Sequence, residues 1–135
     1  MKLAIPVSNG RVSPAFDFAR QVLLLECERG REATRAQLVL EEGVPVNRAR
    51  RLASLGVKLL ICGAISSSLA EHLVGAGVDI MPFVSGTVEE VLAAYLAGEL
   101  DSTQFLMPGS TVEEREKLRL RRETHAPATL ARGRN

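Results

Sequence analysis

The chain contains no tryptophan, and only 4% of its 135 residues are aromatic. Its core must therefore be built from Val, Leu, Ile and Ala. The shortage of aromatic side chains also argues against a single-stranded nucleic-acid binder, because such proteins stack bases on aromatic rings. No apolar run approaches the ~18 residues of a membrane-spanning helix, and no charged segment followed by an apolar one marks a signal peptide. We therefore expect a cytoplasmic protein with no membrane partner.

Cysteine is also scarce. Cys27 and Cys62 are the two cysteines, and no C-x-x-C is present. This excludes a disulfide framework, and the spacing excludes a zinc site. The net charge is only +1, so nothing in the overall charge favours nucleic acid. The charge is uneven, however, because residues 110–135 hold seven basic and four acidic residues. We interpret them as a basic appendage on a slightly acidic body.

Hydrophobic periodicity and turn signals predict three strands followed by an αβαβα series. The second and third strands form an antiparallel hairpin around Arg29-Gly30. Residues 98–109 are interpreted as a linker, the next segment as a marginal helix, and residues 124–135 as disordered. The predicted strands are Lys2–Val7, Gln21–Glu28, Glu32–Leu40, Val57–Cys62 and Val78–Val84; the predicted helices are Arg48–Leu55, Ser68–Val74, Val88–Ala97 and Val112–Glu123.

Each predicted helix begins at a residue whose side chain can accept a hydrogen bond from the first turn. Three of the starts carry the capping-box pattern, in which a Glu lies three residues after a Ser or Thr. The predicted caps are Asn47 and the pairs Ser68–Glu71, Thr87–Glu90 and Ser110–Glu113.

Three small polar turns are the most informative feature. Residues 8–14, 63–68 and 85–87 each follow a predicted strand. Parallel strands bring such turns to one edge of a sheet, where open α/β folds bind ligands, and the N–H groups at helix starts there favour anions. We therefore predict a site for a compact anion. The candidate contacts are Asn9, Arg11, Ser13, Gly63, Ala64, Ile65, Ser66, Ser85, Gly86 and Thr87.

Two side chains are candidate metal ligands. Cys62 ends a central strand at the predicted site edge, and a thiolate suits copper, molybdenum or iron. His72 lies on the following helix and could ligate as a neutral imidazole. The alternatives are a buried apolar cysteine and a solvated histidine, and the residues alone leave both open.

The ordered set of segments resembles the dinitrogenase iron–molybdenum cofactor biosynthesis family over residues 1–101. The matching segments read KLAIPV at 2–7, RVSPAF at 11–16, GVKLLICGAI at 56–65, GVDI at 77–80 and YLAGEL at 95–100. The resemblance implies a three-layer α/β/α, RNase H-like fold with a five-stranded mixed sheet. Residues 1–101 would then be a cluster-binding domain, and residues 102–135 a linker and a basic tail, helical or disordered.

The resemblance also implies a function. Members include NifX-like carriers of the iron–molybdenum cofactor and its precursors, and orange-protein-like binders of a molybdenum–copper sulfide cluster. A non-catalytic carrier or assembly protein for an anionic metal–sulfur cluster is therefore expected, with a possible protein partner in assembly. Many members read Ser-x-His-Phe-Gly in the first loop, where this chain has Ala15 and Asp17 in place of His and Gly. Alanine cannot ligate a metal, and Asp17 adds negative charge near the expected anion.

Two other functions are alternatives. A nuclease or phosphotransferase needs clustered carboxylates that hold Mg²⁺ near the central strands, but the segments 2–7 and 57–62 contain no acidic residue. Asp79 begins its strand, at the opposite end from the turns. The other alternative is a regulatory module that binds a partner through the basic C-terminal tail.

Overall fold

The computed structural model describes residues 1–100 and 103–118. These form a mixed sheet with helices on both faces. The elements are β1 Lys2–Ser8, β2 Arg11–Val12, β3 Gln21–Glu28, β4 Arg31–Val39, α1 Pro45–Ser54, β5 Val57–Ile61, α2 Ser67–Gly75, β6 Asp79–Met81 and α3 Val88–Leu96, with 3-10 turns at Phe16–Phe18 and Thr103–Phe105 and helical residues at 112–118.

The sheet has the strand order β4-β3-β1-β5-β6. The three strands β4, β3 and β1 are antiparallel, whereas β1, β5 and β6 are parallel. The predicted mixed sheet is confirmed, but it has six strands rather than five. The extra strand is β2, whose two residues pair with Val7 and Ser8 of β1. A strand of two residues is too short to show a periodicity, so it could not be predicted from the sequence pattern.

The alternating direction of side chains along the strands divides the core into two layers. In β1, Ala4 packs on the side that holds α1 and α2, whereas Leu3 and Ile5 pack on the side that holds α3. This follows from the period of two, by which successive side chains point to opposite faces of a sheet. The predicted helices on both faces are therefore present. The RNase H-like assignment stays a prediction.

Several predicted elements are confirmed. The strand Gln21–Glu28 has the expected bounds, and it forms the expected antiparallel hairpin with β4. Arg29 and Gly30 have φ angles of 53° and 74°, as a two-residue turn between twisted strands requires. The β5-α2-β6 unit is present with parallel strands.

The prediction for the start of α1 was wrong. The helix begins at Pro45 with Val44 as the N-cap, not at Arg48 with Asn47 as the cap. Proline suits the first helical position because the missing N–H would have no partner within the helix. Arg48, the first residue of the predicted helix, lies within α1 and its side chain is buried.

Two of the predicted caps are replaced by neighbouring residues. The N-cap of α2 is Ser66, which accepts a hydrogen bond from Leu69 N, and not Ser68. The box before residues 112–118 joins Thr111 to Glu114 instead of Ser110 to Glu113. In both cases a neighbouring Ser or Thr hydroxyl can accept the same hydrogen bond, so local spacing could not decide which residue caps the helix.

The last predicted strand is much shorter than expected. The strand β6 is Asp79–Met81, because Phe83 adopts a left-handed φ of 60° that ends the extended conformation. Residues 84 and 106 then form an antiparallel bridge. Part of the predicted linker therefore lies against the domain. The predictions for residues 119–135 lie outside the described residues.

Within the described part of the chain, no helix is long and apolar enough to cross a membrane.

Candidate functional site

The three polar turns meet at the edge where β1, β5 and β6 end. The first and second turns exchange backbone hydrogen bonds, from Ala64 N to Pro14 O and from Phe16 N to Ala64 O, both 2.9 Å. The first and third turns are joined from Val12 N to Gly86 O at 3.0 Å. We call residues 8–16, 62–66 and 84–87 the turn cluster. The expectation that the three turns meet at one edge of the sheet is therefore confirmed, and the anion site stays a prediction.

Gly63 allows the first two turns to approach each other closely. A Cβ atom built on Gly63 would lie 2.6 Å from Ser13 O and 2.8 Å from Pro14 O. Both of these are backbone atoms, so the contact could not be relieved by a side-chain rotation. Any other residue at this position would push the turns apart.

The N-terminus of α2 already holds an anion from within the chain. The Asp17 carboxylate accepts a hydrogen bond from Ser66 N at 2.8 Å and another from Ser66 Oγ at 2.5 Å. A carboxylate is favoured here because the helix dipole places partial positive charge at the N-terminus. The donors of Ser66 are therefore engaged by Asp17.

The N-terminus of α3 is also satisfied internally. Glu90 N donates to Thr87 Oγ1 at 3.1 Å, and Thr87 N donates to Glu90 Oε1 at 3.3 Å, which completes the predicted capping box. Val88 N donates to Gly10 O at 2.9 Å. The pKa of Glu90 is lowered, first by the hydrogen bonds from Thr87 and to a smaller extent by Arg11. The amides of Thr87 and Glu90 are therefore used by the capping box, and the amide of Val88 joins the third turn to the first.

Open space remains on both sides of the first turn. The cleft on one side, which we call the Arg11 cleft, has a volume of about 290 Å³. None of the described residues that line it is acidic, and it carries a guanidinium, two hydroxyls and an amide that can donate hydrogen bonds. Its lining residues are Ser8, Asn9, Arg11, Val12, Pro14, Val84, Ser85 and Met107.

The second cleft, which we call the Arg20 cleft, has a volume of about 340 Å³. Phe18 stands at its rim and is 84% exposed, which is unusual for a side chain of this size. The lining residues are Val7, Ser8, Asn9, Ser13, Phe18, Ala19, Arg20 and Gln21.

The predicted contact residues divide into two groups. Asn9, Arg11 and Ser85 line the Arg11 cleft, and Asn9 and Ser13 line the Arg20 cleft. The others frame the clefts through backbone bonds and packing and line neither of them. This second group is Gly63, Ala64, Ile65, Ser66, Gly86 and Thr87.

The two predicted metal ligands lie apart from the clefts. The Cys62 side chain has no exposed surface, and burial, with a smaller contribution from Asp17, raises the pKa of its thiol. His72 is exposed on α2, six residues beyond Ser66, or about 9 Å along the helix axis. Among residues 1–100 and 103–118, no three His, Cys, Asp or Glu side chains are grouped to hold a metal ion.

Some lining residues were not among the predicted contacts. Ser8 begins the first turn and Arg20 follows it, so their place in the sequence was a usable signal. Phe18 and Met107 carried no such signal. The first lies in an irregular 3-10 turn, and the second reaches the Arg11 cleft through pairing between segments more than 20 residues apart in sequence.

A buried arginine fixes the segment that carries Asp17 and Phe18. Arg48 is only 3% exposed, and its Nη2 donates to Phe16 O at 2.7 Å and to Ala19 O at 2.5 Å. Its guanidinium also lies 4.9 Å from the centre of the Phe16 ring. No sequence pattern indicated this role, because arginine on a helix is usually exposed.

Known proteins with similar sequences and folds extend these observations. An uncharacterised protein of Methanocaldococcus jannaschii is 25% identical over 107 residues, covering 75% of this chain and 90% of its own. The apo form of the orange protein from Desulfovibrio gigas has the same fold, with a TM-score of 0.63 and 21% identity over 73% of this chain and 88% of its own. A Thermotoga protein of the DUF35 family gives a TM-score of 0.59 and 25% identity, covering 81% and 98% of the two chains.

The family model described as "Dinitrogenase iron-molybdenum cofactor" matches residues 1–98. This range includes the three turns and all of the strands and helices from β1 to α3. The chain therefore belongs to the dinitrogenase iron–molybdenum cofactor family.

Proposed function

We propose that this protein binds and carries an anionic metal–sulfur cluster of the molybdenum–copper or iron–molybdenum type, and does not act on it chemically. The observation that carries the proposal is the Arg11 cleft, which combines a guanidinium with hydroxyl and amide donors and has no acidic residue among its described lining residues. The site lies in the part of the chain that the family model matches, apart from Met107. Family membership points to binding or assembly related to the iron–molybdenum cofactor.

The donor set supports binding through hydrogen bonds and charge. Arginine is weakly hydrated and presents several N–H donors in a fixed plane, which suits anions with several acceptor atoms. Ser8, Ser85 and Asn9 add further donors at the same cleft. Because Cys62 is buried and His72 lies on a different surface, metal ligation by these two residues stays a prediction that the proposal does not need.

The size of the cleft is consistent with a compact ligand. A volume of about 290 Å³ lies at the lower end of the range for small-molecule pockets, about 300–1,000 Å³. We place the cluster-binding domain at residues 1–101 and propose a cytoplasmic protein that meets a protein partner in cluster assembly. Nucleic acid and membranes are not proposed as partners.

Tetrathiomolybdate, alone and with copper, tests the proposal. The wild-type protein should retain a visible chromophore at a fixed molar ratio after desalting. Arg11→Gln should weaken binding about tenfold or more, because a hydrogen bond to a charged group contributes about 1.5–3 kcal/mol. Arg50→Gln is the matched control, since Arg50 is exposed on α1 and lines neither cleft.

Two further variants test the predicted metal ligands. If Cys62→Ser and His72→Ala bind the chromophore as well as the wild type, the cluster is held by the cleft alone. If either abolishes binding while Arg11→Gln does not, the location of the site is wrong. No retention by the wild-type protein would reject the carrier function for this cluster.

A further inference from the structure

We infer that residues 103–118, which we call the strap, complete the Arg11 cleft: Met107 contacts the bound cluster and Arg115 is a positioning residue. This inference rests on the proposed function, because the cluster is its ligand. It concerns residues beyond 98, where the family match ends.

The strap pairs with the third polar turn through its backbone. Ser85 N donates to Phe105 O at 2.8 Å, and Met107 N donates to Phe83 O at 2.7 Å. Between these two bonds, Val84 and Leu106 form an antiparallel bridge. The strap therefore acts as a short additional strand that places Met107 at the rim of the cleft.

Two buried side chains hold the strap in place. Phe105 is 9% exposed, and its ring packs so closely on Gly86 that a Cβ there would lie 3.3 Å from Phe105 Cδ1. Arg115 is 3% exposed and donates from Nε to Pro82 O at 2.9 Å and from Nη2 to Phe83 O at 3.1 Å. The desolvation of a guanidinium is costly unless it is hydrogen-bonded, so these bonds favour one docked position of the strap.

Two hydrogen bonds from the strap reach the carbonyl of Phe83, a residue with a strained backbone. Phe83 has a φ of 60°, a conformation that costs free energy for any residue other than glycine and persists only where the surroundings impose it. Met107 and Arg115 both donate to its carbonyl. The strap therefore helps to hold the bend that leads into Ser85, which is a lining residue of the cleft.

Met107 gives the Arg11 cleft a sulfur atom, which the three polar turns do not supply. Its thioether carries the single sulfur atom among the described lining residues. Thioether sulfur is soft and polarisable, and it selects soft metals such as copper(I) over hard cations. The strap should therefore favour a copper-containing sulfide anion over one without copper.

The experiment compares release of tetrathiomolybdate with release of its copper adduct from the full-length protein. Met107→Leu preserves volume and should release the copper adduct about threefold to tenfold faster, with a shifted absorption band, because leucine has no soft sulfur atom to contact copper. Release of tetrathiomolybdate alone should stay within about twofold of the wild type. Met81→Leu is the control, since Met81 is half-buried in β6 and lines neither cleft.

Arg115→Ala should accelerate release of both ligands, because the turn that carries Ser85 loses its support. Arg115→Lys should restore retention in part, since an ammonium can reach one carbonyl but cannot donate from a fork. Lys117→Ala is the control on the same helical segment, where Lys117 is exposed. If Arg115→Ala does not fold, the absorption band and the release rate of Met107→Leu decide the question.

The outcomes separate the two proposals. If the wild-type protein retains neither ligand, the proposed function and this inference both fail. If the wild type retains them and Met107→Leu and Arg115→Ala match their controls, the strap is not part of the site and the carrier function stands.

Discussion

At the residue scale, the arrangement of the turn cluster depends more on close contact between backbone atoms than on charge. Gly63 faces two backbone carbonyls of the first turn, and the turns are joined by backbone hydrogen bonds on either side of it. The polar side chains of the three turns are thus presented by a frame of backbone contacts. Local sequence could predict the turns but not the distance between them.

Replacement of Gly63 by alanine should destabilise the protein by about 1–3 kcal/mol, as expected when a methyl group is forced into a packed site. Urea unfolding measures this loss. Gly75→Ala is the control, because Gly75 ends α2 and a Cβ added there would meet no atom within 4 Å. Equal stability of the two variants would contradict the close contact.

Arg48 shows why burial of a charged residue is difficult to predict from sequence. Removal of its side chain in Arg48→Ala takes the Arg48 donor from Ala19 O and Glu42 O, whereas Phe16 O keeps its bond from Ala19 N. We expect a loss of about 2–4 kcal/mol in the free energy of unfolding, because buried acceptors are costly to leave unpaired. Arg51→Ala, an exposed position on the same helix, should change it by less than about 0.5 kcal/mol.

At the element scale, α2 and α3 begin in different ways. The first turn of α3 carries its own capping box, which the spacing of Thr87 and Glu90 predicted correctly. The start of α2 is held by Asp17, which comes from 49 residues earlier in the sequence. Local patterns could identify the first arrangement, whereas the second depends on tertiary contact. The incorrect start predicted for α1 has a different cause, because Pro45 was itself a local signal for the first helical position.

Asp17→Asn tests the charge at the start of α2. The amide keeps the shape of the side chain but removes the negative charge, so we expect a loss of about 0.3–1 kcal/mol at low ionic strength. The difference from wild type should shrink as salt is added, because salt screens charge–dipole interactions. A loss that does not depend on salt would point to hydrogen bonding alone. Glu99→Gln, an exposed carboxylate beyond α3, provides the control.

At the scale of the whole molecule, one arginine links the far strand of the sheet to the helix on its face. Arg35 of β4 donates to Glu32 at 2.6 Å and to Glu89 of α3 at 2.6 Å. These bonds lower the pKa of both carboxyl groups. Surface ion pairs of this kind contribute modestly to stability. Protonation of the two carboxyl groups nevertheless makes the free energy of unfolding depend on pH.

Stability should fall as the pH drops below about 4.5, the ordinary pKa of these glutamates. A lowered pKa in the folded state means that the unfolded chain binds more protons in this range, so acid favours unfolding. Urea midpoints measured between pH 7 and pH 3 test the effect. Arg35→Gln should flatten this dependence, and Arg31→Gln, which makes no such pair in the described residues, should not.

Across the whole chain, the mixed sheet and the meeting of the turns could be predicted, because strand patterns and parallel crossovers follow general rules. The clefts could not. Their walls combine the first turn with Met107 on one side and with Phe18 and Arg20 on the other. Such walls form only when distant segments pack, and the use of Ser66 N by Asp17 and of Val88 N by Gly10 depends on the same tertiary contacts.

The Asn9-Gly10 turn lies between the two clefts, and Asn9 lines both of them. Asn9 adopts a φ of 53°, a left-handed conformation that asparagine adopts more readily than most residues. A ligand that shifts Asn9 from one side alters the wall of the opposite cleft. If ligands occupied both clefts, their binding would be thermodynamically linked, and by reciprocity each ligand would change the affinity of the other by the same factor. The Asn9-Gly10 turn would thus make release of a ligand from one cleft depend on binding of a ligand in the other.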